Sequence, residues 1–407
     1  MEDIYMDIQA FIALHNLNPE NIDGAVCLRQ LLEKMEQGLA GEGNIPMIPS
    51  YLYLNTRPVA GQPCCVLDAG GTNLRVAKAT FDADGRCDLS GFYKTAMPGT
   101  QGELSFDEFY GTLANYVTET GCQERIGLCF SYNVLQDRTL DGILHSWCKE
   151  VRVPEAPGKP VGASLHRAVG ESCGRVNVLN DSTAALLGAH GCDEDITVGL
   201  IMGTGINICY SEQCSRIPKV ERDLRQDSMI ISTEIGEFDG FPKSTFDKMV
   251  IDASDEPTMA HAEKQCAGAY LGDLISLAWQ AAAAEGLIDG FYANPVSLPE
   301  ISDYLAGNAS RLPQDAGALE IAKTMLHRAA KIAAVLTAGP VIRSCAAGEV
   351  CTMVIEGSQF RKLTGFGDLF RQELHRLLQP VNMDFAIKEV ENSCLIGAAI
   401  AAFAEPM

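Results

Sequence analysis

Read for its hydrophobic period, the chain begins helical and then alternates. Residues 3–40 read as helix, and between 25 and 39 the apolar side chains Val26, Leu28, Leu31, Leu32, Met35 and Leu39 recur at helical spacing until the glycines at 38, 41 and 43 stop the pattern. A loop with Pro46 and Pro49 follows. Apolar runs of strand type then occupy 64–68, 74–81 and 125–131, separated by turn signals such as Asp84-Gly85 and by a helix at 106–119. A helix at 162–169 leads into a strand at 176–179. The second half repeats the scheme, with strands at 198–202, 206–212 and 229–233, before the pattern turns helical over 260–284 and 319–337. A strand returns at 352–355 and an apolar, alanine-rich helix follows at 395–403. Short strands alternating with helices predict an α/β protein. No low-complexity linker divides the halves, so domains joined by short crossings are expected, with a ligand cleft between them.

Composition narrows this picture. A chain of 407 residues exceeds one ordinary core and predicts two or three domains. Apolar residues at 47% against 21% charged exclude disorder, and no uninterrupted apolar run reaches the length of a membrane span. The acidic start, Met1-Glu2-Asp3, lacks the basic region and apolar stretch of a signal peptide, so a cytoplasmic location is expected. The fifteen cysteines are scattered, odd in number and without any CxxC, which reads as reduced, buried thiols. Seven histidines without HExxH or zinc spacing to cysteine argue against a structural metal. A formal charge of -22 repels nucleic acid and anionic membranes, so neither is an expected partner. Any nucleotide bound here must be held by local cations and backbone amides.

Three segments carry candidate chemistry. In Val66-Leu67-Asp68-Ala69-Gly70-Gly71-Thr72-Asn73-Leu74-Arg75-Val76 an apolar strand ends in a carboxylate, turns through glycines and leaves as a second strand. Such a tip can aim backbone N–H groups at phosphate, because glycines permit positive φ and close approach. Thr72 and Arg75 would add donors, and Asp68 is placed to hold Mg²⁺ directly or through water. A plain hairpin turn is the alternative. The segment Val198 to Asn207 echoes it, with Gly203, Thr204 and Gly205 at the tip. Two such hairpins about 130 residues apart suggest duplicated halves facing one ATP, and neither fits GxxxxGK[ST] or GxGxxG. Between them, the strand ending at Asn180-Asp181 enters a helix of small residues. Asp181 is either that helix's N-cap or a general base that accepts the proton of an attacking hydroxyl.

Together these segments resemble the hexokinases, of the actin-like ATPase superfamily, along nearly the whole chain. LDAGGTNLRV and MGTGIN resemble the two phosphate motifs of that family. The residues Phe130-Ser131-Tyr132, Gly142-Ile143-Leu144 and Trp147-Cys148-Lys149 follow its sugar-loop pattern, STEIG its MEWG, and AEKQCAGAYLGDL its YEK…GxYLGE. The resemblance implies two ribonuclease-H-like domains with mixed sheets flanked by helices: a small one of residues 59–181 plus 392–407, and a large one of 1–58 plus 182–391. It implies a monomer or homodimer that moves the γ-phosphate of ATP, with Mg²⁺, to the 6-hydroxyl of glucose or a related hexose such as mannose. Ser131, Lys149, Asn180, Asn207, Glu234 and Glu263 would hydrogen-bond the sugar, with Cys148 beside them and Asp181 as base. Asp68, Gly70, Gly71, Thr72, Asn73, Arg75, Gly203, Thr204, Gly205 and the turn Gly357-Ser358 would attend the nucleotide. A catalytically weak, kinase-like sugar sensor is the other reading. The chain departs from the family at Cys148 (threonine), Asn133 (proline) and Ile235 (tryptophan), all near the implied sugar. Gly170-Glu171-Ser172-Cys173-Gly174 satisfies GxSxG, but its expected helix, loop, strand order is wrong for a nucleophile elbow.

Overall fold

The computed structural model describes residues 2–147, 151–220, 227–289, 295–308, 311–312 and 314–406. Two helices, α1 (Glu2–Leu14) and α2 (Gly24–Leu39), precede the first strands. The uninterrupted helix expected over 3–40 is therefore two, because Asn18-Pro19 opens a separate 3-10 turn and Asp23 then caps α2 by accepting from Ala25 N and Val26 N. Next come β1 (Ile48–Pro49), β2 (Pro63–Ala69), β3 (Asn73–Phe81), β4 (Cys87–Ala96), α3 (Phe106–Thr120) and β5 (Arg125–Phe130). The hairpin β6 (Asn133–Gln136) and β7 (Gly142–Ser146) leads to α4 (Val161–Val169), β8 (Arg175–Leu179) and α5 (Asp181–Cys192). The GxSxG match thus lies between a helix and a strand, not in an elbow.

The second half runs β9 (Ile196–Met202), β10 (Ile206–Gln213), β11 (Ser228–Ser232), α6 (Thr245–Ala253), α7 (His261–Cys266), α8 (Gly268–Ala284) and α9 (Leu298–Leu305). It ends with α10 (Ala316–Ser344), β12 (Val350–Glu356), α11 (Ser358–Lys362), α12 (Phe366–Leu378), β13 (Asp384–Lys388) and α13 (Ser393–Ala401). The helix expected over 260–284 breaks at Ala267, whose extended backbone (φ -77, ψ 157) turns α7 into α8. In the other direction, α10 passes its expected end and continues through Pro340, held by core packing on Ala338, Pro340 and Val341. By length and composition α10 is the one described helix able to cross a membrane, but 83% of its apolar window is buried inside the fold.

The two halves have the same sheet order. One sheet runs β4-β3-β2-β5-β8 and the other β11-β10-β9-β12-β13, with β1 added beyond β11. In each, three strands form an antiparallel meander, and two more join in parallel on the side of the first. The central strand β2 is buried from Cys64 to Ala69, as a strand covered on both faces must be. Between the sheets, α13 packs on β2, β5 and β8, α5 packs on β9, β10 and β12, and the two helices pack on each other. These two helices approach to backbone contact, where a Cβ on Gly188 would lie 2.0 Å from Ser393 O and one on Gly397 1.9 Å from Ala184 O; β5 meets α13 as closely, with a Cβ on Gly127 1.8 Å from Ala398 O. This seam carries the cleft above it.

Candidate active site

Each half contributes to one cleft of about 690 Å³. Ser131 follows β5, Asn180 and Asp181 stand at the β8–α5 junction, and Thr204 and Gly205 sit in the β9–β10 turn. Asn207 on β10, Glu234 after β11 and Glu263 on α7 complete the wall. Cys148 and Lys149 lie outside the described residues.

At the Asn-Asp junction the helix cap is Asn180, not Asp181. Asn180 is the N-cap of α5, with its Oδ1 accepting from Ser182 N at 2.9 Å and Ser182 Oγ at 2.7 Å. Asp181 is the first helical residue, and its Oδ1 accepts the neighbouring Ser182 N at 2.8 Å. Its carboxylate therefore reaches the cleft without having to cap the helix.

Opposite, Asn207 is a hub. Its Nδ2 donates to Glu234 Oε1 at 2.6 Å and Ser232 Oγ at 3.0 Å, while its Oδ1 accepts Glu234 N at 3.0 Å. Glu234 sits in the left-handed region (φ 54), a conformation that a non-glycine residue keeps only where surrounding bonds enforce it. Ser232 Oγ donates to Glu234 Oε1 at 2.9 Å. Glu263 Oε2 accepts Ile206 N at 3.0 Å, and a Cβ on Gly205 would lie 2.6 Å from that same oxygen. Burial pushes the Glu234 carboxyl up to about 7; the bonds from Ser232 and Asn207 oppose this, and the charges of Asp181 and Glu263 reinforce it. The floor thus pairs amides with carboxylates, a set able to accept from and donate to vicinal hydroxyls.

The two glycine hairpins are present as expected but differ from expectation in detail. None of Gly70, Gly71, Gly203 and Gly205 lies at positive φ; it is Gly357 that does, at +124. Close approach is what the tips require instead. A Cβ on Gly357 would fall 2.2 Å from Met202 O, so this turn lies directly against the second hairpin, while Gly268 N and Ala269 N of α8 donate to Gly203 O and Thr204 O at 2.9 and 3.0 Å. In the first hairpin Gly70 N donates to Asn73 O at 3.0 Å, and Asn73 Nδ2 to Thr72 Oγ1 at 2.8 Å. Arg75, expected to face phosphate, is ion-paired through Nε (2.7 Å) and Nη2 with Oδ2 of Asp68, which is itself only 6% exposed. Arg75 Nη1 also reaches Asn392 Oδ1 at 3.5 Å, and the adjacent Ser393 Oγ donates to Glu356 Oε1 at 2.7 Å, next to Gly357 and Ser358. A continuous run of contacts therefore links the first hairpin to the turn that braces the second.

The sugar-loop segment is fixed from below. Tyr132 Oη donates to Gly70 O at 2.7 Å, Trp147 packs edge-on to Tyr132 at 4.9 Å, and Trp147 Nε1 donates to Val153 O at 2.8 Å. Asn133 lines the cleft, whereas Ile235 is fully buried beneath it. Sequence reasoning missed Ser232, Tyr132 and Asn392; a buried serine two residues before an acidic turn residue was the available signal for the first.

Models of the hexokinase family match residues 8–190 and, in a second part, 197–303 and 301–404. Among similar proteins, a Candida albicans hexokinase-2 is 29% identical over 312 residues, 71% of this chain and 64% of that protein. A rice chloroplastic hexokinase-4 is 35% identical over 265 residues, 59% of this chain and 51% of that protein. The chain thus spans between half and two thirds of the length of these relatives. Among solved structures, hexokinase from Schistosoma mansoni complexed with glucose superposes with TM-score 0.84 at 21% identity, covering 98% of this chain and 99% of that one. A Streptomyces griseus ROK-family glucokinase in complex with glucose and AMPPNP gives 0.51 at 17% identity, over 83% and 98%. These likenesses show the fold. Matched by family models across both of its duplicated halves, the chain belongs to the hexokinase family.

Proposed function

We propose that this protein is a hexose kinase that transfers the γ-phosphate of ATP to the 6-hydroxyl of glucose or a related hexose such as mannose. The observation that carries the reading is the cleft: Asp181, relieved of capping by Asn180, shares it with Asn207, Glu234 and Glu263 and with the tip of the second glycine hairpin. Asn180, Asn207, Glu234, Glu263 and Ser131 bind and orient the sugar. Asp181 accepts the hydroxyl proton as the oxygen attacks phosphorus. The backbone of Gly203–Gly205, with Gly357 and Ser358 against it, and that of Gly70–Asn73 cradle the phosphates.

Asp68 fits a Mg²⁺ site: a nearly buried carboxylate at a strand end, a hard oxygen donor suited to an ion that keeps most of its waters. Such an ion supplies charge neutralisation at the phosphates. Arg75 would then turn from Asp68 toward phosphate. We assign residues 59–181 with 392–407 to a small domain and 1–58 with 182–391 to a large one; each sheet falls within one of these sets. Sugar binding draws the domains together and excludes water, which suppresses ATP hydrolysis. Every described cysteine is a free thiol, which supports a reducing, cytoplasmic setting.

The test is an ADP-release assay with glucose, mannose, fructose and N-acetylglucosamine, run on wild type and Asp181→Ala. Turnover with at least one hexose is expected, with kcat lowered ~10²- to 10⁴-fold by the substitution and hexose binding retained. Near wild-type turnover by Asp181→Ala would remove the base assignment. A wild type that binds hexose without releasing ADP would be a sensor, not a kinase.

A further inference from the structure

Ser232 is buried (1% exposed), opens the STEIG segment without a role of its own expected from the sequence, and stands at the meeting point of three elements that build the site. Its Oγ lies 2.9 Å from Glu234 Oε1, 3.0 Å from Asn207 Nδ2, 3.3 Å from Ser182 Oγ and 3.5 Å from Asn180 Oδ1. The hydrogens can be counted. Ser182 has one, and the 2.7 Å bond to Asn180 Oδ1 takes it. Asn207 Nδ2 has two, directed at Glu234 Oε1 and at Ser232 Oγ. Ser232 therefore accepts from Asn207, and its single hydrogen goes to the strongest acceptor within reach, the Glu234 carboxylate. Both donors converge on Oε1. Both bonds are stronger to a carboxylate than to a neutral acid and so favour ionised Glu234, and they leave Oε2 as the oxygen available to a sugar hydroxyl.

We propose that Ser232 is a positioning residue of the sugar site: its hydroxyl hydrogen fixes Glu234 as an acceptor and registers β11 against β10 and the β8–α5 junction. This rests on the hexose-binding reading of the cleft. The groups facing Glu234 are Asp181 from α5 and Glu263 from α7, both acidic; Glu237, Asp255, Glu256 and Lys264 lie along the same wall. Lys264 is committed, with Nζ donating to Glu256 O and Met259 O at 2.5 and 2.8 Å. With like charges on two sides, ionised Glu234 depends on its two neutral donors, and removing one shifts it toward the protonated form.

The experiment measures hexose affinity by calorimetry and kcat/KM by ADP release, for wild type, Ser232→Ala and Ser232→Thr, between about pH 5 and 9. Ser232→Ala is expected to weaken hexose binding roughly tenfold at pH 7, the size of one charge-assisted bond. Its acid limb moves to higher pH by about one unit, so the deficit narrows as pH rises. Ser232→Thr, which keeps the hydroxyl, restores the limb; thermal melting of both variants verifies folding. A deficit in Ser232→Ala that is the same at every pH, or an unchanged affinity, overturns the inference while leaving the kinase reading intact. A wild type that neither binds nor phosphorylates any hexose overturns the reading and this inference with it.

Discussion

The two glycine hairpins occupy equivalent places in equivalent sheets, yet they are wired differently. The first neutralises its own carboxylate: Asp68 is closed by Arg75 seven residues on, and its tip touches the rest of the protein through Tyr132 and, via Arg75, through Asn392. The second carries no charge at its tip and is held from outside, by the N-terminus of α8 and by Gly357. The acid beside it, Glu234, is satisfied by an amide and a hydroxyl instead of a cation. The same strand order thus carries different side chains: one hairpin closes an ion pair on itself, and the other stands beside an acid held by neutral donors.

The largest test of this asymmetry is a pair of matched substitutions. Gly357→Ala is expected to cost about 3 kcal/mol or more in denaturant unfolding, since its backbone (φ 124, ψ 153) is closed to other residues and the new methyl meets Met202 O. Gly70→Ala, where a Cβ meets only Asn73 O at 3.3 Å, should cost no more than about 1 kcal/mol. Equal losses would mean that the first tip is braced as tightly as the second. Next in size, Asp68→Ala is expected to raise the Mg²⁺ concentration for half-maximal rate roughly tenfold, and an unchanged magnesium titration would reject a metal role for the first hairpin.

The smallest effect concerns charge. Glu234 is raised to about 7, above the carboxyl value of an unfolded chain, so the folded state binds the extra proton and stability falls as pH rises from about 4.5 through 7. Glu234→Gln removes that loss. Because the side chain is partly open to the cleft, the expected gain is about 1 kcal/mol at pH 8 and close to none at pH 5, read from thermal melting at the two pH values. No gain at either pH would show that the neutral donors already hold Glu234 ionised without cost.

Much of this was legible in the sequence because its signals are local. Buried runs such as 64–68 and 198–202, ended by glycine turns, fixed the hairpins and hinted at the repeat. The edge strand β4 was not legible: it is exposed along most of its length, and pairing with β3 is its main stabilising context, with Cys87 and Leu89 packed on the core and Tyr93 against Tyr116. Ala267 looks helical by composition and is turned out of the helix by its position between α7 and the hairpin carbonyls. The motif resemblance brought Asn180, Asn207, Glu234 and Glu263 together, and they do line one cleft. Ser232 stood inside the STEIG motif, yet its role escaped because the motif points to Glu234; its importance lies in four oxygen and nitrogen neighbours, three from segments 25 to 52 residues away and one two residues on, just past the end of β11. The Asp68–Arg75 closure escaped for a similar reason, since strand register, not spacing, puts the two side chains opposite.

Gly188 and Gly397 bring the main chains of α5 and α13 together, and Gly127 of β5 meets α13 in the same way, so each contact leaves room for nothing but a hydrogen atom. Carbonyls in near contact leave these main chains no slack, either to separate or to slide past one another. Gly127, Gly188 and Gly397 should therefore tolerate substitution poorly: even alanine would pry this seam open and misalign the two sheets packed on either side of it.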